Sequence, residues 1–120
     1  MSYTHYQSAR TFRRLMEQPT ETKDCRVHEL QLDLITEEFG EFSIAHHEGR
    51  DIETAKELAD LAYVCYQYAA ARGWNLDEAL ERVHRSNLSK LDDDLRPIKR
   101  EDGKVLKGPN YKKPFLQDLI

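Results

Sequence analysis

A chain of 120 residues, 33% of them charged and carrying a formal net charge of −4, has room for one domain, expected to span residues 1–120. The acidic balance argues against general nucleic-acid binding, and no apolar run is long enough to cross a bilayer, so no membrane partner is expected. Met1-Ser2-Tyr3-Thr4-His5 lacks the apolar core of a signal peptide, and Cys25 and Cys65 have no metal-binding spacing, which fits free thiols in a cytoplasmic chain.

Helical periodicity governs residues 5–91. Tyr6, Ala9, Phe12, Leu15 and Met16 recur at helical spacing, and Pro19 closes this first helix. Arg10, Arg13 and Arg14 ride on it as a solvated face. After a polar connector at 18–23, a second helix is expected over about 24–48, with Gly49 placed to cap it. One of its stripes carries Val27, Leu30, Leu34 and Ala45, and a second carries Leu32, Ile35, Phe39 and Phe42. A helix apolar on two sides must be covered on two sides, which predicts self-association for so short a chain. Gly40 lies mid-helix, where it costs about 1 kcal/mol of helix propensity. Close approach of another backbone, or of a ligand, would account for it.

Asp51 offers an N-cap for a third helix, which runs to Arg72 before Gly73 stops it. Asn75-Leu76-Asp77-Glu78 resembles a capping box, and the fourth helix continues through Ala79, Leu80, Val83, Leu88 and Leu91. Residues 92–120, with Pro97, Gly103, Gly108, Pro109 and Pro114, read as a loop-rich tail. Its apolar residues Val105, Leu106, Tyr111, Phe115 and Leu116 are expected to anchor it across the helices or a neighbouring subunit. The fold class is all-α: four helices and a tail.

Charge interrupts both central helices. Glu37, Glu38 and Glu41 continue the Val27–Leu34 stripe, and Glu57 and Asp60 continue the stripe of Leu61, Val64, Tyr68 and Ala71. Spacings of three and four residues put each set on one helical face. Carboxylates on an apolar face lose hydration and repel one another unless a cation lies between them. Hard oxygen donors without a cysteine or a histidine pair suit Mg²⁺, with Mn²⁺ as a substitute. The plain alternative for Glu37-Glu38-Glu41 is a solvated turn, which explains Glu57 and Asp60, set among Leu58, Leu61 and Val64, less well. Glu81-x-x-His84 is the turn that di-iron bundles use in pairs, and it occurs here once. Asn87-x-x-Lys90 closes the fourth helix, where a lysine commonly complements the helix dipole.

Glu37-Glu38-x-x-Glu41 followed by Glu57-x-x-Asp60 resembles the motif of the all-α nucleoside triphosphate pyrophosphohydrolases, the superfamily of MazG, the dimeric dUTPases and phosphoribosyl-ATP pyrophosphohydrolase. His84-Arg85-Ser86-Asn87-Leu88-Ser89-Lys90-Leu91 and the run from Pro97 to Tyr111 are similar to a MazG/HisE-like subgroup often encoded by phages. The resemblance spans roughly residues 25–115 and leaves the first helix unmatched. It implies a four-helix MazG-like bundle assembled as a homodimer or homotetramer. It also implies Mg²⁺-dependent conversion of a (d)NTP, with dGTP or GTP first, to monophosphate and pyrophosphate. Glu38, Glu41, Glu57 and Asp60 would hold metal, and Glu37 or Glu38 would activate water. Asn87, Lys90 and Lys107 would bind nucleotide. Such a protein would work in the cytoplasm, that of a host if phage-encoded. The competing expectations are the phosphoribosyl-ATP reaction and a non-catalytic helical interaction protein with a structural cation site.

Overall fold

The computed structural model describes residues 3–120; Met1 and Ser2, part of the N-terminal stretch read above, lie outside the described residues. Four helices account for most of the chain, as expected for an all-α protein: α1 (His5–Leu15), α2 (Cys25–His47), α3 (Asp51–Arg72) and α4 (Leu76–Leu88). The chain divides into two compact units, Met1–Leu76 and Asp77–Ile120.

Local chemistry explains the helix ends of the first unit. Thr4 and Gln7 form a capping box at the start of α1, the Thr4 hydroxyl accepting from Gln7 N and the Gln7 amide oxygen from Thr4 N. Asp24 caps α2 by accepting from Arg26 N at 3.0 Å. The N-cap of α3 is Arg50 and not Asp51, and its side chain makes no cap bond. Asp51 and Glu53 instead occupy the first turn, where their charge complements the helix dipole. Gly73 ends α3 at φ +81, and a Cβ there would come within 2.7 Å of Glu21 Cγ, so glycine is required twice over.

Packing in this unit is dominated by α2 against α3, with α1 laid on α3. The apolar core is thin and built mostly of alanine: Ala9, Ala69 and Ala70 with Tyr6, and Tyr66 and Leu76 against them. Much of what is buried is polar. Arg13, expected on a solvated face, is only 1% exposed. It donates to Pro19 O at 2.7 Å and to Gln67 Oε1 at 3.4 Å, thereby tying the connector after α1 to α3. These two bonds offset part of the cost of burying the guanidinium. The counterpart of this polar interior is apolar surface: Leu30, Leu32, Phe39 and Ile44 of α2 and Ile52, Leu58 and Tyr63 of α3 are all exposed in the single chain.

In the second unit α4 stops at Leu88, three residues before the expected end. The Ser89 hydroxyl donates to Ser86 O at 2.6 Å, and Lys90 N and Leu91 N bond back to Asn87 O and Leu88 O, which tightens the chain out of the α-helix. The tail then returns along α4. Ser86 Oγ donates to Lys112 O at 2.7 Å, Lys112 N donates to Ser89 Oγ at 2.9 Å, and Arg82 holds Asp118 through a forked ion pair. Gly108 N donates to Lys90 O at 3.0 Å, so close that a Cβ would sit 2.5 Å from that oxygen. The tail also contains a short hairpin, β1 (Ile98–Lys99) antiparallel to β2 (Val105–Leu106), which turns through Asp102-Gly103 with Gly103 at φ +90. Asp-Gly between apolar residues is a hairpin signal that the loop reading passed over.

Candidate metal centre

The facing turns of α2 and α3 bring three of the five singled-out carboxylates together. Glu38, Glu41 and Glu57 each offer an oxygen within 4.8 Å of the others, the sole such group of His, Cys, Asp or Glu side chains among the described residues. Helical spacing makes this possible: Glu38 and Glu41 stand one turn apart on α2, and Glu57 faces them from α3. Glu41 is exposed, Glu38 half-buried and Glu57 only 9% exposed, so the cluster runs from solvent into the helix interface.

Two oxygens of this group, Glu38 Oε2 and Glu57 Oε2, are buried without a hydrogen-bond partner. Ionised carboxylates can only accept, so they cannot satisfy each other unless they share a proton. Burial first, then the charges of Glu41, Asp60 and Glu57, raise the Glu38 carboxyl above its ordinary range. Orphaned buried acceptors call for that proton, a bound water or a cation. An all-carboxylate set is hard, and it fits a divalent ion that prefers oxygen donors. His84, the histidine of the di-iron alternative, is exposed on α4 and outside this group.

The other two expected carboxylates behave differently. Glu37 is exposed on α2 and outside the trio. Asp60 is half-buried and also outside it, although close enough for its charge to act on Glu38. Its Oδ2 lies 2.9 Å from Lys56 Nζ, which also reaches Glu57 Oε1 at 3.5 Å. Lys56 is the residue that sequence reasoning missed, and the signal was available: Lys56 and Asp60 are an i, i+4 pair on α3.

Gly40 lies within this turn of α2. Among the described residues, no group beyond its own helical turn comes within 4 Å of where its Cβ would be. The expected close approach therefore does not come from the described residues of this chain.

The expected nucleotide-binding residues belong to the second unit. Asn87 is exposed at the end of α4, Lys90 is half-buried beside Gly108, and Lys107 Nζ stands 4.7 Å from the centre of the Tyr111 ring, a cation–π distance. An open cavity of about 440 Å³ on this unit is lined by Arg82, Arg85, Ser86, Ser89, Lys112, Lys113, Pro114, Phe115 and Asp118. Arg82 there is neutralised by Glu78 and Asp118, and Arg85 by Glu81.

Compared with known proteins, residues 6–87 match the family model described as phosphoribosyl-ATP pyrophosphohydrolase. No curated protein matches the chain. The matched segment covers α1 to nearly the end of α4 and contains every carboxylate of the cluster.

Proposed function

Because the chain belongs to the phosphoribosyl-ATP pyrophosphohydrolase family, and so is a pyrophosphohydrolase acting on acid anhydrides, we propose that it cleaves a nucleotide between its α and β phosphates in a Mg²⁺-dependent reaction at the α2–α3 carboxylates. The observation that carries this reading is the pair of buried, unpartnered oxygens on Glu38 and Glu57. Buried acceptors without a partner call for compensation, and a cation shared with Glu41 would supply it.

Glu38, Glu41 and Glu57 would hold the ion, with Asp60 joining them once released from Lys56. When bound, Mg²⁺ supplies charge neutralisation for the phosphate chain and a lowered pKa for coordinated water. Mn²⁺, of the same donor preference, substitutes. The protein side of the chemistry is a base and an orientation. Glu37, exposed one turn before Glu41, is free to accept a proton from the attacking water. Glu38, with its raised pKa, is the second candidate for that role. Asn87, Lys90 and Lys107 would hold sugar and phosphates, the lysines as point charges.

The substrate is a (d)NTP, with dGTP and GTP first. The tail supports this, since residues 88–120 lie outside the family match and carry the Pro97–Tyr111 run similar to the phage-type subgroup. Phosphoribosyl-ATP is the second reading, favoured by the description of the matched family. Residues 1–120 would act as one domain within a homodimer or homotetramer. The exposed Leu30, Leu32 and Phe39 of α2 and Ile52 and Leu58 of α3 support association. A panel of the common NTPs and dNTPs and phosphoribosyl-ATP, incubated with protein and Mg²⁺ and resolved by chromatography, tests the reading. Monophosphate plus pyrophosphate is expected, with a purine deoxynucleotide turned over fastest. Turnover of phosphoribosyl-ATP alone would replace the substrate assignment, and nucleoside diphosphate with orthophosphate would overturn the reaction.

A further inference from the structure

Lys56 sits against the candidate metal centre in an arrangement that its surroundings do not require. Its side chain is 61% exposed, so no burial forces it inward. It nevertheless turns back along α3 to place Nζ 2.9 Å from Asp60 Oδ2 and 3.5 Å from Glu57 Oε1. The attraction of Asp60 first, and of Glu57 after it, raises the ammonium pKa above its ordinary value. The two acidic residues it touches are the two that α3 contributes to the site. Of these, Glu57 belongs to the converging trio while Asp60 does not. Glu57 is thus divided: Oε1 faces the ammonium and Oε2 is buried without a partner.

We propose that Lys56 is a tethered counter-cation that sets the divalent-ion affinity of the site by competing for Asp60. With no ion bound, the ammonium neutralises part of the carboxylate charge and keeps Asp60 with itself. Entry of a divalent ion requires the ammonium to yield Asp60 and adds a repulsion between two cations. The site therefore tolerates its ion-free state and binds the ion more weakly than its carboxylates alone would dictate. An exposed lysine yields readily, because its alternative partner is water. Lys56 is a positioning residue on this account. The proposal rests on the metal-site reading given above.

The test is calorimetric titration of Mn²⁺, without nucleotide, into the full-length metal-stripped protein and two variants. Lys56→Met removes the charge and keeps the stem, and it should tighten Mn²⁺ binding about tenfold, the order expected when one unit charge facing a divalent ion is removed from solvent-like surroundings. Lys56→Arg keeps the charge and should stay within about twofold of wild type. Binding to Lys56→Met that is equal to or weaker than wild type overturns the proposal while leaving the metal site intact. Equal tightening by Lys56→Arg overturns it as well, because charge would then not be the cause. Absence of binding by all three proteins removes the metal-site reading, and this inference with it.

Discussion

Replacing Glu38 with Gln tests the electrostatics of the cluster without touching its shape. Three carboxylate oxygens lie within 4.8 Å of one another. At an effective dielectric near 20, each fully ionised pair at that separation costs about 3.5 kcal/mol. Solvent at exposed Glu41 and the raised pKa of Glu38 reduce this, so the variant should gain about 1–2 kcal/mol without metal at pH 8, or roughly 4–8 °C in Tm. The pH dependence has a definite sign. A carboxyl whose folded pKa exceeds its unfolded value contributes stability that is complete below the unfolded pKa and lost as pH rises through the folded one. Wild type should therefore weaken between about pH 4 and neutrality relative to Glu38→Gln, and the two curves should meet near pH 4. The Gln amide also donates, which gives Glu57 Oε2 the partner it lacks. The assay is thermal unfolding in chelator from pH 4 to 8. A variant less stable than wild type across that range would show that Glu38 holds the fold together and is not a charge awaiting an ion.

Three further outcomes follow from the same arrangement. Mg²⁺ at about 100-fold over its Kd should stabilise wild type by roughly 2.7 kcal/mol at pH 7.5 and by less at pH 5, where protons compete for the same oxygens; equal shifts at both pH values in thermal melts would contradict this. Gly40→Ala should raise metal-free stability by up to about 1 kcal/mol, since a Cβ there meets nothing within 4 Å, and a lower Tm would show that another copy of the chain packs on that position. Phe39, 58% exposed on α2, should support assembly, so light scattering should give a dimer or tetramer for wild type and a smaller species for Phe39→Lys; a wild-type monomer at micromolar concentration would end the association reading.

Much of this architecture is legible in the sequence because periodicity and helix stops are local. Gly49 and Gly73 mark their boundaries, and spacing puts Glu38 and Glu41 on one face of α2, while their meeting with Glu57 depends on how α2 packs on α3. What escapes is set by pairing. Arg13 reads as a surface residue until Pro19 and Gln67 take its donors. Asp60 reads as equal to Glu57, yet Glu57 joins the trio while Asp60 stays outside it, 2.9 Å from Lys56 Nζ. The tail reads as loop because its hairpin is two residues per strand and its anchors, Ser86, Ser89 and Arg82, bond to tail positions 23 to 36 residues away. The i, i+4 spacing of Lys56 and Asp60 is a periodic trace; the partners of Arg13 and of the tail leave none.

The claim that the Glu38, Glu41 and Glu57 trio drives pyrophosphate formation is tested most directly at Glu57. Pyrophosphate release should be measured for wild type and Glu57→Gln with the best substrate of the panel at saturating Mg²⁺, with melting curves alongside. Loss of an outer partner of a metal site commonly costs 10–100-fold, and loss of a ligand costs no less, so the rate should fall by about a hundredfold or more while the metal-free protein stays folded. A folded Glu57→Gln variant that releases pyrophosphate within about tenfold of wild type would contradict the account.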